Sequence, residues 1–126
     1  MKLSDSNIAI YSAREEYAFL RKIFKEENVF VSEITRIEVL GFHRITSGQQ
    51  EYFNSIFSVI NVIPISSEVV EAAIKMRKTY NLSVGDSIIS ATANVYGLTL
   101  YTNNEDDFKN ITEVNIFNPI RNTWYK

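Results

Sequence analysis

The feature that most constrains the fold of this chain is the regular alternation of short apolar, β-branched segments with longer amphipathic ones. The short segments, which predict strands, cover residues 2–4, 28–31, 60–65, 98–101 and 114–117. Helical periodicity between them predicts helices over residues 8–26, 33–45, 50–59, 68–80 and 86–96. Strands that alternate with helices in this way are typical of a mostly parallel central sheet with helices on both faces. We therefore predict an α/β, three-layer sandwich.

The composition indicates a single compact domain over residues 1–126, with a polar tail at about 121–126. The chain has 45% hydrophobic residues, only 4 glycines and 2 prolines, and no repeat or linker-like tract. Because it has no cysteine, thiol catalysis and zinc–thiolate sites are excluded. No stretch approaches the roughly 20 apolar residues of a membrane span, so we expect a cytoplasmic protein.

The net charge of the chain provides no overall attraction for nucleic acid. Lysine and arginine total 13 against 15 aspartates and glutamates, which gives a formal charge of −2. The local basic clusters, Arg21-Lys22 and Lys75 with Arg77 and Lys78, are interpreted as solvated helix faces. A polyanionic substrate would have to be held locally, and metal ions on carboxylates are one means of doing so.

Polar residues follow two of the predicted strands at the point where each strand ends. Asp5 comes directly after the first strand, and Asn103 and Asn104 follow the fourth. Ligands of open α/β sheets bind beyond the carboxyl ends of the strands, so these residues are predicted to share a functional edge. Asp5 has a structural alternative, because Asp5, Ser6 and Asn7 are all favoured helix N-cap residues.

Glu38 is predicted to lie on the apolar face of its helix. At 100° per residue it falls within about 40° of Ile34 and close to Ile45 and Gly41. A carboxylate there needs a partner, a proton or a cation, unless it reaches solvent at the edge of the helix. Gly41 would allow another segment to approach closely. His43, the only histidine, lies about 140° from Glu38 on the same wheel and is predicted to face solvent.

Asp86 precedes an uncharged, apolar helical stretch over residues 87–95. The spacing Ser83-x-x-Asp86 fits a capping box, which is the structural alternative to a functional acid. A helix without charge is buried, so Asp86 at its start is predicted to lie near the core and near the edge of the sheet. Carboxylates gathered in one place repel one another, and oxygen ligands suit hard cations such as Mg²⁺ or Mn²⁺.

Five blocks in order carry a resemblance to a known family. They are Leu3-Ser4-Asp5-Ser6-Asn7-Ile8, Val31-Ser32-Glu33-Ile34-Thr35-Arg36-Ile37-Glu38-Val39-Leu40-Gly41, Asp86-Ser87-Ile88-Ile89-Ser90-Ala91-Thr92-Ala93, Thr102-Asn103-Asn104-Glu105-Asp106-Asp107-Phe108 and Val114-Asn115-Ile116-Phe117-Asn118-Pro119. Together they resemble the PIN-domain family, and within it most closely the VapC-type toxins of toxin–antitoxin pairs. The similarity runs from the first residue to about Pro119.

The resemblance implies a PIN-like fold and a Mg²⁺- or Mn²⁺-dependent endoribonuclease whose acidic quartet holds one or two metal ions. Asp5, Glu38 and Asp86 match the first three family acids. The fourth position stays open, because Asn104 stands where some relatives carry aspartate and Asp107 offers a carboxylate shortly after it. By the same resemblance, Ser6 and Thr102 would support the metal site or the substrate.

The same resemblance implies hydrolysis of RNA by an activated water, with no protein nucleophile. Asp86 and Asp5 are both candidates to orient that water or accept its proton. Single-stranded or loop RNA is the expected substrate, since a shallow acidic site needs an exposed phosphodiester.

The partners implied are a cognate, VapB-like antitoxin, which would place a basic side chain near the acids, and a second copy of the chain. An exposed apolar patch is predicted for the homodimer; it comprises Tyr52, Phe53, Ile56 and Phe57. Two alternatives are a catalytically silent PIN domain that binds RNA or acts as a scaffold, and a receiver-like domain. A receiver needs an aspartate at the end of its middle strand, where this chain has Ser66 and Ser67.

Overall fold

The computed structural model, which describes residues 1–122, contains a central sheet of five strands. The strands are β1 (Lys2–Ser4), β2 (Val29–Ser32), β3 (Asn61–Ile63), β4 (Thr99–Tyr101) and β5 (Ile116–Phe117). Their order is β3-β2-β1-β4-β5, and all four pairings are parallel. The parallel sheet is confirmed, and each predicted strand is present within or beside its predicted range. Of the predicted polar tail, residues 123–126 lie outside the described residues.

Six α-helices and one 3₁₀ segment connect the strands of the described chain. The helices are α1 (Ser6–Ser12), α2 (Glu33–Leu40), α3 (Ser47–Phe57), α4 (Ser67–Thr79), α5 (Val84–Tyr96) and α6 (Glu105–Phe108). The predicted helix over residues 8–26 is instead α1 followed by the 3₁₀ segment Glu15–Lys25. The Ser12 hydroxyl donates to the Ala9 carbonyl at 2.6 Å, and Arg21 Nε donates to the Ser12 carbonyl at 2.7 Å. These bonds satisfy backbone groups where the α-helix ends.

Two further boundaries differ from the prediction for local reasons. Helix α2 ends at Leu40 because Gly41 follows, and glycine costs about 1 kcal/mol in a helix interior. Helix α3 begins at Ser47 because Thr46 and Gln49 form a reciprocal capping box. The Thr-x-x-Gln pattern was readable in the sequence and identifies the start of α3. The single-turn helix α6 was not predicted.

The sheet is covered on both faces, which confirms the three-layer sandwich. Alternate residues of β2 enter different clusters: Val29 and Val31 pack in one, and Phe30 packs against the other. The first cluster contains buried residues of α1, the 3₁₀ segment, α2 and α3, the second contains buried residues of α4, α5 and α6, and a small third cluster joins α4 to α5. Strands buried on both faces account for the continuous apolar runs in the sequence.

The apolar patch predicted for a homodimer is part of the core instead. Phe53, Ile56 and Phe57 are 5%, 7% and 9% exposed, and Tyr52 packs partly buried against the same cluster. The Tyr52 hydroxyl lies 2.8 Å from Ser12 Oγ. The predicted patch is therefore wrong, because the apolar face of α3 is already covered by α1, α2 and the 3₁₀ segment.

The chain reverses its direction of winding across the sheet at β1. β2 lies on one side of β1, whereas β4 lies on the other, and the Asp5 N–H donates to the Tyr101 carbonyl at 2.9 Å across that junction. Such a switch point leaves a crevice at the carboxyl ends of the two strands. Separately, no helix within residues 1–122 has the length and apolarity needed to cross a lipid bilayer.

Candidate active site

Asp5 lies at the centre of the candidate site, in the crevice between β1 and β4. Its carboxyl group is almost fully buried, with 5% of the residue exposed. Oδ1 accepts the Ser6 N–H at 2.8 Å, which caps α1, and Oδ2 accepts the Thr102 hydroxyl at 2.8 Å and the Asn7 amide at 2.9 Å. Asp5 can therefore cap α1 through Oδ1 and still belong to the candidate site through Oδ2. Thr102, predicted as a supporting residue, is in direct contact with Asp5.

The environment of Asp5 opposes its ionisation. Burial, the largest cause, raises the pKa of Asp5 to about 6, and the negative charges of Asp86 and Glu38 add to the increase. The hydrogen bonds from Thr102 and Ser6 act in the opposite direction but only in part offset burial. A cation placed among these groups would remove the electrostatic penalty.

Glu38 reaches the site through a hydrogen bond from Ser6. The Ser6 hydroxyl donates to Glu38 Oε1 at 2.6 Å, and Ser6 Oγ lies 3.0 Å from Thr35 Oγ1. Glu38 itself is exposed, as is Ile37, and the buried residues of α2 are Thr35 and Val39. The predicted placement of Glu38 on a buried apolar face is wrong. The helical wheel included residue 45, but the helix ends before it.

The glycine that admits close approach is Gly85 in α5. A Cβ atom at Gly85 would lie 3.2 Å from Glu38 Oε2, which is tighter than an ordinary contact. A Cβ atom at Gly41, the predicted position, would meet the Ile37 carbonyl of its own helix and no other segment. The absence of a side chain at Gly85 therefore lets the first turn of α5 lie beside the carboxylate of Glu38.

Asp86 is half-buried in the first turn of α5. Its N–H donates to Ser83 Oγ at 3.1 Å, so Ser83 caps the helix, in agreement with the structural alternative given for this segment. Burial raises the pKa of Asp86, the charge of Asp107 raises it further, and Glu38 contributes less; the Ser83 hydroxyl lowers it. The charges of Asp107 and Glu38 raise the pKa of Asp86, and the charge of Asp86 raises the pKa of Asp5. The four acids are therefore close enough to interact electrostatically.

Between the two candidates for the fourth position, the structure brings Asp107 next to Asp86. Both residues line a cavity of about 670 Å³. The Asn104 side chain makes no capping bond, while its backbone N–H donates to Thr102 Oγ1 at 3.0 Å. Asn104 thus fixes the connection after β4 through its backbone, and Asp107 supplies negative charge to the site.

The chemistry of this donor set fits a hard divalent cation. Asp5, Glu38, Asp86 and Asp107 offer carboxylate oxygens only; burial raises the pKa of Asp5 and of Asp86, and the neighbouring carboxylates add to the increase. Within residues 1–122, no three acidic or histidine side chains stand close enough together to form a direct cage. Mg²⁺ does not require one, because it keeps several waters and binds through one or two carboxylates together with substrate phosphate.

Three asparagines support the site: Asn103 was predicted at this edge of the sheet, Asn7 was considered only as a helix cap, and Asn118 was not selected from the sequence. Asn7 donates to Asp5, and its Oδ1 accepts the Asn103 N–H at 3.2 Å. Asn118, which is 3% exposed, donates to Asn103 Oδ1 at 3.1 Å and to Glu105 Oε2 at 3.2 Å. These bonds fix the connection after β4 to β1 and to the end of β5. The position of Asn118 directly after the last strand was the available signal.

The basic clusters and the histidine lie outside these contacts. Arg21 bonds the Ser12 carbonyl, and Arg77 Nε donates to the Leu82 carbonyl at 3.0 Å. Both arginines therefore satisfy backbone groups. His43 is exposed in the connection after α2, as predicted.

The fold and the acidic edge together define an α/β domain with a carboxylate-lined crevice, and comparison with known proteins identifies the family. The PIN domain model matches residues 2–114, so the chain belongs to the PIN domain family. It is similar to Ribonuclease VapC2 of Methanocaldococcus jannaschii, with 27% identity over 128 residues that cover 85% of this chain and 86% of that protein. The receiver-like alternative is therefore wrong.

Solved structures show the same fold. A toxin–antitoxin complex from Klebsiella pneumoniae contains a chain with 29% identity and a TM-score of 0.76, over 90% of this chain and 95% of that one. VapBC2 from Rickettsia felis, bound to a DNA fragment from its promoter, has 20% identity and a TM-score of 0.77, over 93% and 97% of the two chains. At 20% identity the likeness concerns the fold alone.

Proposed function

We propose that this protein is a Mg²⁺- or Mn²⁺-dependent endoribonuclease, the toxin of a toxin–antitoxin pair, which inhibits translation and growth in the cytoplasm until its antitoxin binds. The observation that carries the proposal is the buried carboxyl group of Asp5, whose pKa is raised to about 6 beside Asp86 and Glu38. Burying an ionisable carboxyl group beside two other acids destabilises the fold, so its presence is not explained by stability. A metal site explains it, because a bound cation would stabilise the ionised carboxylates. The similarity to Ribonuclease VapC2 supports the choice of RNA.

The residues proposed to hold the cation are Asp5, Glu38, Asp86 and Asp107. When bound, Mg²⁺ or Mn²⁺ would neutralise charge on the phosphate oxygens and lower the pKa of water. Oxygen donors from RNA phosphate would complete the coordination, as is usual for Mg²⁺.

The hydrogen bonds of the site suggest different tasks for its two most buried acids. Asp5 already accepts three hydrogen bonds, from Ser6, Asn7 and Thr102, so its oxygens are fixed in place. Asp86 is only half-buried, and its raised pKa suits a group that accepts a proton. We therefore propose that Asp5 anchors the site and that Asp86 accepts the proton of the attacking water. Ser6 holds Glu38 in place.

Cleavage of RNA by the purified protein tests the proposal. Wild-type protein freed of partners should cut single-stranded RNA with Mg²⁺ or Mn²⁺ and lose this activity in excess EDTA. Asp5→Asn and Asp86→Asn should each lower the rate by about 100-fold or more, which corresponds to about 2.7 kcal/mol in the barrier. Glu51→Gln, an exposed acid on α3, is the matched control and should retain activity. Full cleavage of RNA in excess EDTA would contradict the proposal.

The same assay separates the catalytically silent alternative. A silent PIN domain would bind RNA or a partner without cutting RNA under any metal condition. That alternative would be favoured if well-folded wild-type protein bound Mn²⁺ but cleaved no RNA.

An apolar groove beside Glu38 supports the antitoxin proposal. It has a volume of about 330 Å³ and lies between α1, α2 and α3; its walls include Ile10, Val39, Phe42 and Phe53. Ile10 and Phe42 are 46% and 52% exposed, which is unusual for side chains of this size next to a core. An apolar helix of the antitoxin would cover the groove. A lysine or arginine from that helix could then form charge-assisted bonds with Glu38 and compete with the cation.

The homodimer remains a proposal with a different candidate surface. Val70 and Ile74 lie one turn apart on α4 and are 42% and 44% exposed. Unlike the buried face of α3, this pair is available to a second copy.

A further inference from the structure

We propose that the cavity beside Asp86 and Asp107 binds a nucleobase of the RNA strand, from a nucleotide next to the phosphodiester that is cut. This inference rests on the proposed ribonuclease function. The cavity has a volume of about 670 Å³, within the range of small-molecule sites, and lies between the end of α4, the connection at residues 80–83 and α6. Because Asp86 and Asp107 form part of its wall, it opens directly onto the acidic site. A strand whose phosphate lies at these acids has a neighbouring base within reach.

The charge of the lining selects an uncharged part of the nucleotide. Among the described residues that line the cavity, none is lysine or arginine, and three are aspartates: Asp86, Asp106 and Asp107. Asp86 and Asp107 would repel a phosphate that entered the cavity without a metal ion, whereas Asp106 accepts the Lys109 ammonium at 3.1 Å and contributes less to the repulsion. The heterocyclic base is the part of the strand that carries no charge and can enter.

Two amides that make no side-chain hydrogen bond to any residue within 1–122 give the cavity groups that match the edge of a base. Asn81 and Asn110 both line it and are exposed. Each carboxamide can donate and accept, and asparagine amides pair in this way with the edge of adenine in other proteins. Tyr80, Leu82 and Ile111 supply the aromatic and apolar wall against which the face of a base would lie.

The wall of the cavity is held in place before any ligand arrives. The Tyr80 hydroxyl donates to Glu113 and lies 3.2 Å from Thr112 Oγ1. Arg77 Nε donates to the Leu82 carbonyl at 3.0 Å, and Asn81 adopts the left-handed backbone region with φ of 38°. A preformed wall reduces the ordering cost of binding, so even a small number of contacts can select a base.

The excess of acceptors predicts which bases fit. Adenine, cytosine and guanine carry exocyclic amino groups that can donate to Asp106 or Asp107, whereas uracil presents carbonyl oxygens on both sides of its single N–H. The cavity should therefore prefer adenosine, cytidine and guanosine over uridine.

Nucleoside binding to the full chain tests this inference without using catalysis. Nucleosides carry no phosphate, so in EDTA they report on the cavity and not on a metal site. In ¹⁵N NMR titrations, adenosine, cytidine or guanosine should shift the side-chain amides of Asn81 and Asn110, and uridine should shift them less. Asn110→Ala and Asn81→Gly, the latter chosen because glycine accepts the positive φ, should weaken binding by about 3- to 10-fold each, the worth of one hydrogen bond. Asn54→Ala, an exposed asparagine on α3, is the control and should bind as wild type.

Cleavage kinetics provide the second measurement. With short oligoribonucleotides, Asn110→Ala should raise KM by about the same 3- to 10-fold factor and leave kcat nearly unchanged, because the base contact is uniform binding. If wild type cleaves RNA but no nucleoside shifts Asn81 or Asn110, the inference is overturned while the ribonuclease function stands. If nucleosides bind as expected and no RNA is cleaved, the cavity stands as a nucleobase site and the ribonuclease function fails. Shifts at these amides with inorganic phosphate in place of nucleosides would also overturn the inference.

Discussion

Asp5 combines two tasks that are usually separate, since one oxygen caps a helix and the whole group carries the electrostatic cost of the site. The Ser6 N–H, the Asn7 amide and the Thr102 hydroxyl all point at it, yet its pKa still rises to about 6. Three hydrogen bonds do not compensate for burial and two nearby carboxylates. The group is therefore sensitive both to pH and to cations.

The first consequence is that stability should fall as Asp5 ionises. Between its ordinary value of 3.8 and about 6, the folded state keeps a proton that the unfolded chain has already released. The free energy of unfolding in EDTA should therefore decrease by up to about 3 kcal/mol as the pH rises through this window. Asp5→Asn cannot ionise, so its stability relative to wild type should improve by a similar amount between pH 4 and pH 7.

Urea denaturation at pH 4, 5, 6 and 7 measures this difference. Asp5→Asn also loses a hydrogen-bond acceptor, which changes its free energy of unfolding by the same amount at every pH and so does not affect the pH dependence. Glu51→Gln should run parallel to wild type. A wild-type-minus-variant difference that stays constant across the range would contradict the raised pKa of Asp5. Mn²⁺ should stabilise wild type at pH 7 and not Asp5→Asn.

The fourth acidic position can be decided by comparing Asp107→Ala with Asn104→Ala. Because the charge of Asp107 raises the pKa of Asp86, Asp107→Ala should lower the pKa of the Asp86 carboxyl group, and Asn104→Ala should leave it unchanged. Carboxyl ¹³C NMR titration of the metal-free protein measures it. Mn²⁺ affinity should fall about tenfold or more in Asp107→Ala. A larger loss of affinity in Asn104→Ala would assign the fourth ligand to the asparagine.

Helix α5 is the element that places Asp86, and its interior is unusually rich in buried hydroxyl groups. Ser87 donates to the Val84 carbonyl at 2.6 Å, and Thr92 donates to the Ile88 carbonyl at 2.7 Å. Ser90 is fully buried, and its hydroxyl has no hydrogen-bond partner among the described residues. The small residues allow α5 to pack closely against α4 and the sheet. This packing buries the Ser90 hydroxyl without a hydrogen-bond partner among the described residues, which destabilises the fold.

Replacing the two buried serines of α5 separates these contributions. Ser90→Ala removes an unpaired hydroxyl and should be neutral or stabilising by about 1 kcal/mol, whereas Ser87→Ala also loses a hydrogen bond worth about 0.5–1.5 kcal/mol. Both changes gain the same helix propensity, so Ser87→Ala is the matched control and should be the less stable variant. Chemical denaturation of both proteins measures the difference. Equal stability, or a less stable Ser90→Ala, would contradict this account.

Over the surface of the protein, the acidic crevice and the apolar groove meet at Glu38, which lines the groove and accepts the Ser6 hydroxyl. A partner bound in the groove would therefore lie beside Glu38 and the acidic crevice. Inhibition and recognition would then use one continuous surface, so a change in the groove can separate them.

Growth assays in the native host test this separation. Wild-type protein should arrest growth, co-expression of the proposed cognate antitoxin should restore growth, and Asp5→Asn should be harmless. Phe42→Asp, a change at a half-exposed groove residue, should remain toxic and escape the antitoxin because burying a new carboxylate in the interface is costly. Val59→Asp, at a 75% exposed position outside the groove, should be toxic and still neutralised. A wild-type chain without effect on growth would contradict the toxin proposal and leave the PIN fold untouched.

Local patterns in the chain were sufficient for the architecture and for the edge of the sheet at which Asp5 lies. Short apolar, β-branched runs indicated the strands, period-3.6 hydrophobicity indicated the main helices, and the parallel sheet followed from their alternation. Asp5, Asn103 and Asn104 were placed at one edge because the carboxyl ends of parallel strands meet there. The alternation of strands and helices, and the position of Asp5 at the edge of the sheet, depend on which residues are near one another in the sequence. The spacing of apolar side chains along the chain is enough to predict both.

Only the tertiary structure decided which faces of the helices are covered and which side chains meet. The exposure of Glu38, its hydrogen bond from Ser6 and its contact at Gly85 each join residues far apart in sequence. The burial of Phe57, with the rest of its face of α3, depends in the same way on packing against distant elements. Burial and distance set the pKa of Asp5, and neither is a property of a local pattern. The periodicity of a helix shows that it has an apolar face, whereas only packing shows what covers that face.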